Sequence, residues 1–136
     1  DYINSITERL ALYNKLGTLE KEEELQVFET EITDRFGEFP TQVEDLLDSV
    51  RIKWLAKELG LEKVILKQKR MMGYFVADQQ SDFYHTEAFS RMLKYVQHNG
   101  KSCVMKEKES KNGLRLLITF IRIDSVKTAL QILQKI

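Results

Sequence analysis

The stretch Phe36-Gly37-Glu38-Phe39-Pro40-Thr41 holds the only proline of the 136-residue chain and restricts its folding more than any other segment. Proline donates no N–H and drives the residue before it out of the helical region, while a glycine just ahead takes the left-handed conformation that closes a helix. Any helix arriving here must stop. One does arrive: Leu25, Phe28, Ile32 and Phe36 recur at three- and four-residue steps, which predicts a helix from about Leu19 to Phe36 with one apolar face. Beyond the proline, Thr41 with Glu44 three residues on reads as a capping box. It opens a helix whose apolar face, including Val43, Leu47 and Val50, runs to Gly60. Trp54 continues that stripe and is expected in a core seam between helices and sheet. Upstream, Ile3, Ile6, Leu10 and Tyr13 predict a first short helix, with Gly17 as its stop.

After Gly60 the period changes. Lys63–Lys67 and Met71–Ala77 are short β-prone runs joined by the charged turn Lys67-Gln68-Lys69-Arg70, a predicted hairpin. Helical spacing returns over Asp82–His98 through Phe89, Met92, Leu93 and Val96, and ends at Asn99-Gly100. A second hairpin is predicted from Ser102–Lys108 and Leu114–Arg122, with Asn112-Gly113 supplying the positive-φ positions of its turn. Asp124 or Ser125 then caps a last helix bearing Val126, Leu130, Leu133 and Ile136. Three helices followed by a ββαββα unit, with no repeated strand-helix-strand crossover, predict an α+β fold with a mainly antiparallel sheet. The length fits a single domain, 1–136, with a helical first part, 1–60, and a sheet-containing part, 61–136.

Lys plus Arg and Asp plus Glu both total 21, so the chain lacks the net positive field of a dedicated nucleic-acid binder, and a protein partner is favoured. One cysteine, Cys103, excludes an internal disulfide and fits a reducing, cytoplasmic setting. No apolar run approaches the roughly 20 residues that cross a bilayer, so no membrane contact is expected.

No catalytic, cofactor-binding or metal-ligating residue is expected. The glycines stand singly, so neither a phosphate-cradling loop nor a dinucleotide fingerprint is present. His85 and His98 lie at opposite ends of one predicted helix, roughly 20 Å apart at about 1.5 Å per residue, too far to share a metal ion. Cys103 falls within a predicted strand, where a free cysteine behaves as a small buried apolar group. Basic residues gather at the hairpin turns: Lys67, Lys69 and Arg70 in one, with Tyr74 and Phe75 near it, and Lys106, Lys108 and Lys111 in the other. They are candidate phosphate contacts, and equally cations that guard sheet edges. Glu31 and Asp34 form an i, i+3 acidic pair at the C-terminal end of the second helix, beside Arg35. The helix dipole disfavours acids there, which suggests a job outside the helix; the plainer reading is a solvated face with Arg35 as local counter-ion.

Tyr2-Ile3 with Arg9-Leu10 and Tyr13, then Glu31-Ile32-Thr33-Asp34-Arg35-Phe36-Gly37 with Pro40, then the Leu46-Leu47 helix ending at Leu59-Gly60, resembles the C-terminal domain of bacterial transcription-repair coupling factors. The likeness covers nearly the whole chain, by residue up to Gly60 and mainly by element order beyond it. It implies a parent protein that recognises stalled RNA polymerase, displaces it with an ATP-driven DNA translocase and recruits UvrA for excision repair. For this segment it implies an autoinhibitory clamp that packs on the parent's UvrB-like N-terminal module and masks the UvrA-binding surface. The partner module of the family offers arginines, so Glu31 and Asp34 are the implied salt-bridging side, with Arg35 matching the motif as well. The competing readings are a nucleic-acid-binding module that uses the basic hairpin turns, and a small hydrolase with an unrecognised carboxylate site.

Overall fold

The computed structural model describes residues 2–136. Helices α1 (Ile6–Thr18), α2 (Glu22–Phe36) and α3 (Thr41–Glu58) come first. Strands β1 (Leu61–Lys67) and β2 (Arg70–Phe75), a 3-10 turn (Asp82–His85), α4 (Glu87–His98), β3 (Cys103–Ser110), β4 (Gly113–Ile121) and α5 (Val126–Gln134) follow. This is the α+β order that the patterns predict. The chain packs as two compact units, one ending at Arg51 and one beginning at Ile52. The division falls inside α3, upstream of Gly60.

In the first unit Ser5 caps α1, its hydroxyl accepting from the Glu8 N–H at 3.2 Å. Much of the stripe predicted for this helix is exposed: Ile6, Leu10 and Tyr13 are 66%, 57% and 52% exposed, and Leu16 is the buried residue. The inward face passes through Arg9 and Leu12, and the arginine disguises it as a polar one. Gly17 lies inside the helix, which ends at Thr18 and is closed by Leu19. Helix α2 buries Leu25, Phe28 and Ile32 and closes at Gly37, at φ +85°, whose N–H reaches the Thr33 carbonyl at 2.9 Å. Thr41 is itself helical instead of a cap: the Pro40 carbonyl starts the α3 ladder, accepting from Val43 and Glu44 at 3.0 and 3.2 Å.

A charged hub ties α2 to α3. The Arg51 guanidinium donates to Glu22 through Nε and Nη2 at 2.9 and 2.8 Å, to Glu29 at 2.9 Å and to Asp48 at 2.9 Å. Asp48 is fully buried and the Arg51 side chain is 20% exposed, so the Asp48 bond forms in a poorly screened setting where it is stronger than a surface pair, whereas the Glu22 end of the hub is partly exposed. The hydrogen bond from Arg51 holds the Glu22 carboxyl below its ordinary range, and the carboxylates raise the arginine further.

The second unit is one antiparallel sheet in the order β1-β2-β4-β3. Its first hairpin turns through Gln68 and Lys69, both left-handed at φ +52° and +60°, as a two-residue primed turn requires. The second turns through Lys111 and Asn112 between Ser110 and Gly113; of the expected Asn112-Gly113 pair Gly113 takes a positive φ, at +105°, and Asn112 does not. Side chains alternate across a strand, so Met71, Phe75, Ile118, Phe120 and Cys103 share one face. That face meets Met92 of α4 and Ala129, Leu130 and Leu133 of α5 in the core.

Ile52, Ala56 and Leu59 are the residues by which α3 joins this core. Trp54 is two residues from Ile52, roughly 200° around the helix, and is only half-buried. The expected tryptophan seam is therefore replaced by Ile52, Ala56 and Leu59. The helix expected over Asp82–His98 is also split. Thr86 caps α4 by accepting from the Phe89 N–H at 3.3 Å, which separates it from the 3-10 turn that Ser81 caps.

Candidate docking site

The acidic end of α2 faces α1. Lys15 Nζ binds Glu31 Oε2 at 2.7 Å and Arg35 Nη2 binds Glu8 Oε1 at 2.7 Å, both between exposed side chains. Arg35 also lies over the Phe36 ring, 4.8 Å from its centroid. The local counter-ion of Glu31 is thus Lys15, and Arg35 answers Glu8 instead of the acidic pair. Such exposed pairs contribute little stability and exchange readily for other partners. Asp34 is exposed and makes no ion pair among the described residues. Tyr2 fixes this end of the helix: its hydroxyl donates to the Ile32 carbonyl at 3.1 Å and to that of Gly37, and its ring meets Phe36 edge-on at 5.9 Å.

Beside it lies a partly open groove of about 400 Å³, lined mainly by apolar side chains of all three helices, among them Leu12, Tyr13, Phe28, Ile32, Val43 and Leu46. The groove is not legible in the sequence, because the apolar residues of α1 read there as one inward stripe. A helix with apolar residues on two faces buries one and leaves the other, Ile6 and Leu10, for solvent or a partner.

The tips of the two basic hairpins lie at opposite ends of the sheet, although Lys67, Arg70, Lys106 and Lys108 share one of its faces. Lys67, Lys69 and Arg70 stand at the end of the sheet where Arg70 pairs with Ile121, and Lys111 stands at the other end of β4, where Ser110 pairs with Gly113. The ends are about 25 Å apart at roughly 3.3 Å per residue. Phe75, expected near a nucleic-acid contact, is fully buried against Phe83 and Phe89. Tyr74 lies between Lys63 and Arg115, which approach its ring centroid at 5.4 and 5.5 Å. Neither ring is placed as an open base-stacking platform.

Burial pushes the Cys103 thiol up to about 11, as expected of a cysteine that packs as an apolar group. No group of His, Cys, Asp and Glu among the described residues is arranged to hold a metal ion. No helix among them is long and apolar enough to cross a membrane.

A family model described as the TRCF domain matches residues 1–86. The transcription-repair-coupling factor of Staphylococcus epidermidis is 32% identical over 129 residues, covering 89% of this chain and 11% of the relative. That of Staphylococcus haemolyticus is 27% identical over 134 residues, 98% of this chain and 11% of the relative. That of Escherichia coli is 34% identical over 64 residues, 47% and 6% of the two chains. The chain thus spans about a tenth of the length of the first two relatives. In fold it is similar to the crystal structure of a transcription-repair coupling factor C-terminal domain, with a TM-score of 0.66 over 97% of this chain and 78% of that one, at 19% identity.

Proposed function

Because the chain belongs to the TRCF domain family, we propose that it is an autoinhibitory interaction domain, which docks through the end of α2 on the UvrB-like module of its parent protein and masks the UvrA-binding surface there. The parent is then an ATP-dependent DNA translocase that removes stalled RNA polymerase in transcription-coupled repair. This segment is its clamp, not its motor, and takes part in no cofactor chemistry.

The observation that carries the reading is Asp34, an exposed acid at the carbonyl end of a helix, where the dipole disfavours it and no cation of the described residues answers it. A basic partner supplies the missing charge. Glu31 joins by exchanging Lys15 for a partner guanidinium, at small cost because the Lys15 pair is exposed. The adjoining groove offers apolar area, and polar contacts around it fix register, the anatomy of a modest interface. A contact of this kind regulates only if it is made in one state of the parent and lost in the other.

In the full-length parent, Asp34→Arg with Glu31→Arg is expected to leave the circular dichroism unchanged while raising UvrA affinity and ATPase rate. Interfacial charge reversals cost several kcal/mol, and the loss of about 3 kcal/mol empties most of a repressed state. Solvated helix ends tolerate the same changes at about 0.5 kcal/mol. Wild-type UvrA affinity and ATPase rate in the folded double variant would remove Glu31 and Asp34 from the contact.

A further inference from the structure

The charges of this neutral chain are segregated across its sheet. The face opposite the helices carries, strand by strand, Lys63, Ile65 and Lys67; Arg70, Met72 and Tyr74; Arg115, Leu117, Thr119 and Ile121; and Val104, Lys106 and Lys108. No acid stands at any of these positions. In β3 the order Lys106-Glu107-Lys108-Glu109 sends both lysines to the open face and both glutamates to the helix-covered one. The acid that does reach the open face, Glu62 at the β1 bulge, is bound by Arg115 at 2.7 Å.

The register arranges this face in rows. Ile65, Met72, Thr119 and Val104 stand side by side across all four strands, a neutral row with no charge in it. The row on one side has Lys63 and Lys106 at its two ends, and the row on the other has Lys67 and Arg70. These four cations are exposed, Val104 is 42% exposed, and Ile65, Met72 and Thr119 are half-buried. Nothing in the core of the unit packs on this row.

We infer that the open face of the sheet is a second docking surface, separate from the α2 site, and that its occupant is an acidic amphipathic protein segment lying across the strands. An apolar centre within a rim of one charge sign is the anatomy of a protein interface, and the rim selects carboxylates. A single-stranded nucleic acid would share the charge but needs open aromatic faces, and the one aromatic ring here lies between Lys63 and Arg115.

The test titrates the intact, isotope-labelled chain with three probes. One is an acidic peptide of about 18 residues with Leu at i, i+3, i+4 and i+7 and Glu interspersed with Ala and Gln elsewhere, so that few like charges stand at i, i+4. The second is the same composition scrambled to remove the apolar stripe, and the third a single-stranded DNA of equal charge. At about 0.15 M salt the striped peptide is expected to bind with a Kd on the order of 10 µM, at least about tenfold tighter than the other two. The amide shifts should centre on Ile65, Met72, Val104 and Thr119. Lys63→Glu with Lys106→Glu should weaken it about tenfold or more, and Lys63→Gln with Lys106→Gln gives the same direction without reversed charge if the first pair disturbs folding. Equal binding of the scrambled peptide would reduce the face to unspecific charge. Tighter binding of the DNA would make it a nucleic-acid surface. Shifts confined to the groove of α1, α2 and α3, or no binding of the striped peptide at millimolar concentration, would overturn the proposal outright.

Discussion

Removing the Arg51 guanidinium leaves Asp48, Glu22 and Glu29 facing one another without the cation they share. Arg51→Met is expected to destabilise the chain by about 2–4 kcal/mol in urea unfolding at neutral pH, toward the lower end because Glu22 is partly exposed and screened. The pH dependence has a definite sign. The Glu22 carboxyl is held below its ordinary value of 4.5, so its contribution is present above that value and fades as the pH falls through the folded one. The variant has no such contribution to lose, so the gap between it and the wild type should narrow on acidification. A gap that is constant with pH would mean that Arg51 acts through packing alone. None of this hub is legible in the sequence. Asp48 follows Leu47 in a helix rich in charge, and only packing reveals that it is buried.

At the scale of elements, spacing and punctuation carried most of the information, and failure came where a helix has apolar residues on more than one side. The α2 stop at Gly37, the two hairpins and the Ser125 cap of α5 were readable because each rests on local chemistry that tertiary contacts reinforce. The buried side of α3 was not, because Val43, Leu47, Val50 and Trp54 make one apolar stripe while Ile52, Ala56 and Leu59 make another on the opposite side, and the helix buries Leu47 of the first in its early turns and the second stripe in its late ones. Since Ile52, Ala56 and Leu59 hold the core positions, Trp54→Ala is expected to cost only about 1–2 kcal/mol in thermal or urea unfolding. Met92→Ala, in the same core, should cost about 2–5 kcal/mol. A Trp54 penalty matching that of Met92 would show that the tryptophan carries core energy after all. The candidate site was legible as far as its residue types, Glu31, Asp34 and Arg35. The ion-pair partners of Glu31 and Arg35, Lys15 and Glu8, come from α1, and no spacing within α2 points to them.

For the whole molecule, zero net charge argued correctly against a uniform field and concealed a local one. A balance of 21 against 21 says nothing about sidedness, which here follows from strand alternation. It also bears on the absence of any phosphate-cradling loop in the sequence: exposed cations alone bind nucleotides weakly, so calorimetric titration of the intact chain with Mg-ATP is expected to be flat. Heat from micromolar binding would overturn the clamp reading for this segment. One feature of the sheet reaches into kinetics. Its outer ladders, β1 with β2 and β3 with β4, each close a turn of two residues and need no help from distant chain, whereas the central ladder of β2 with β4 joins strands separated by the 3-10 turn, α4 and β3. Two hairpins therefore zip early and cheaply, and the slow step is their zipping together along Met72 and Thr119, so substitutions that weaken either turn should mainly retard refolding, while those on the seam should divide between slower refolding and faster unfolding.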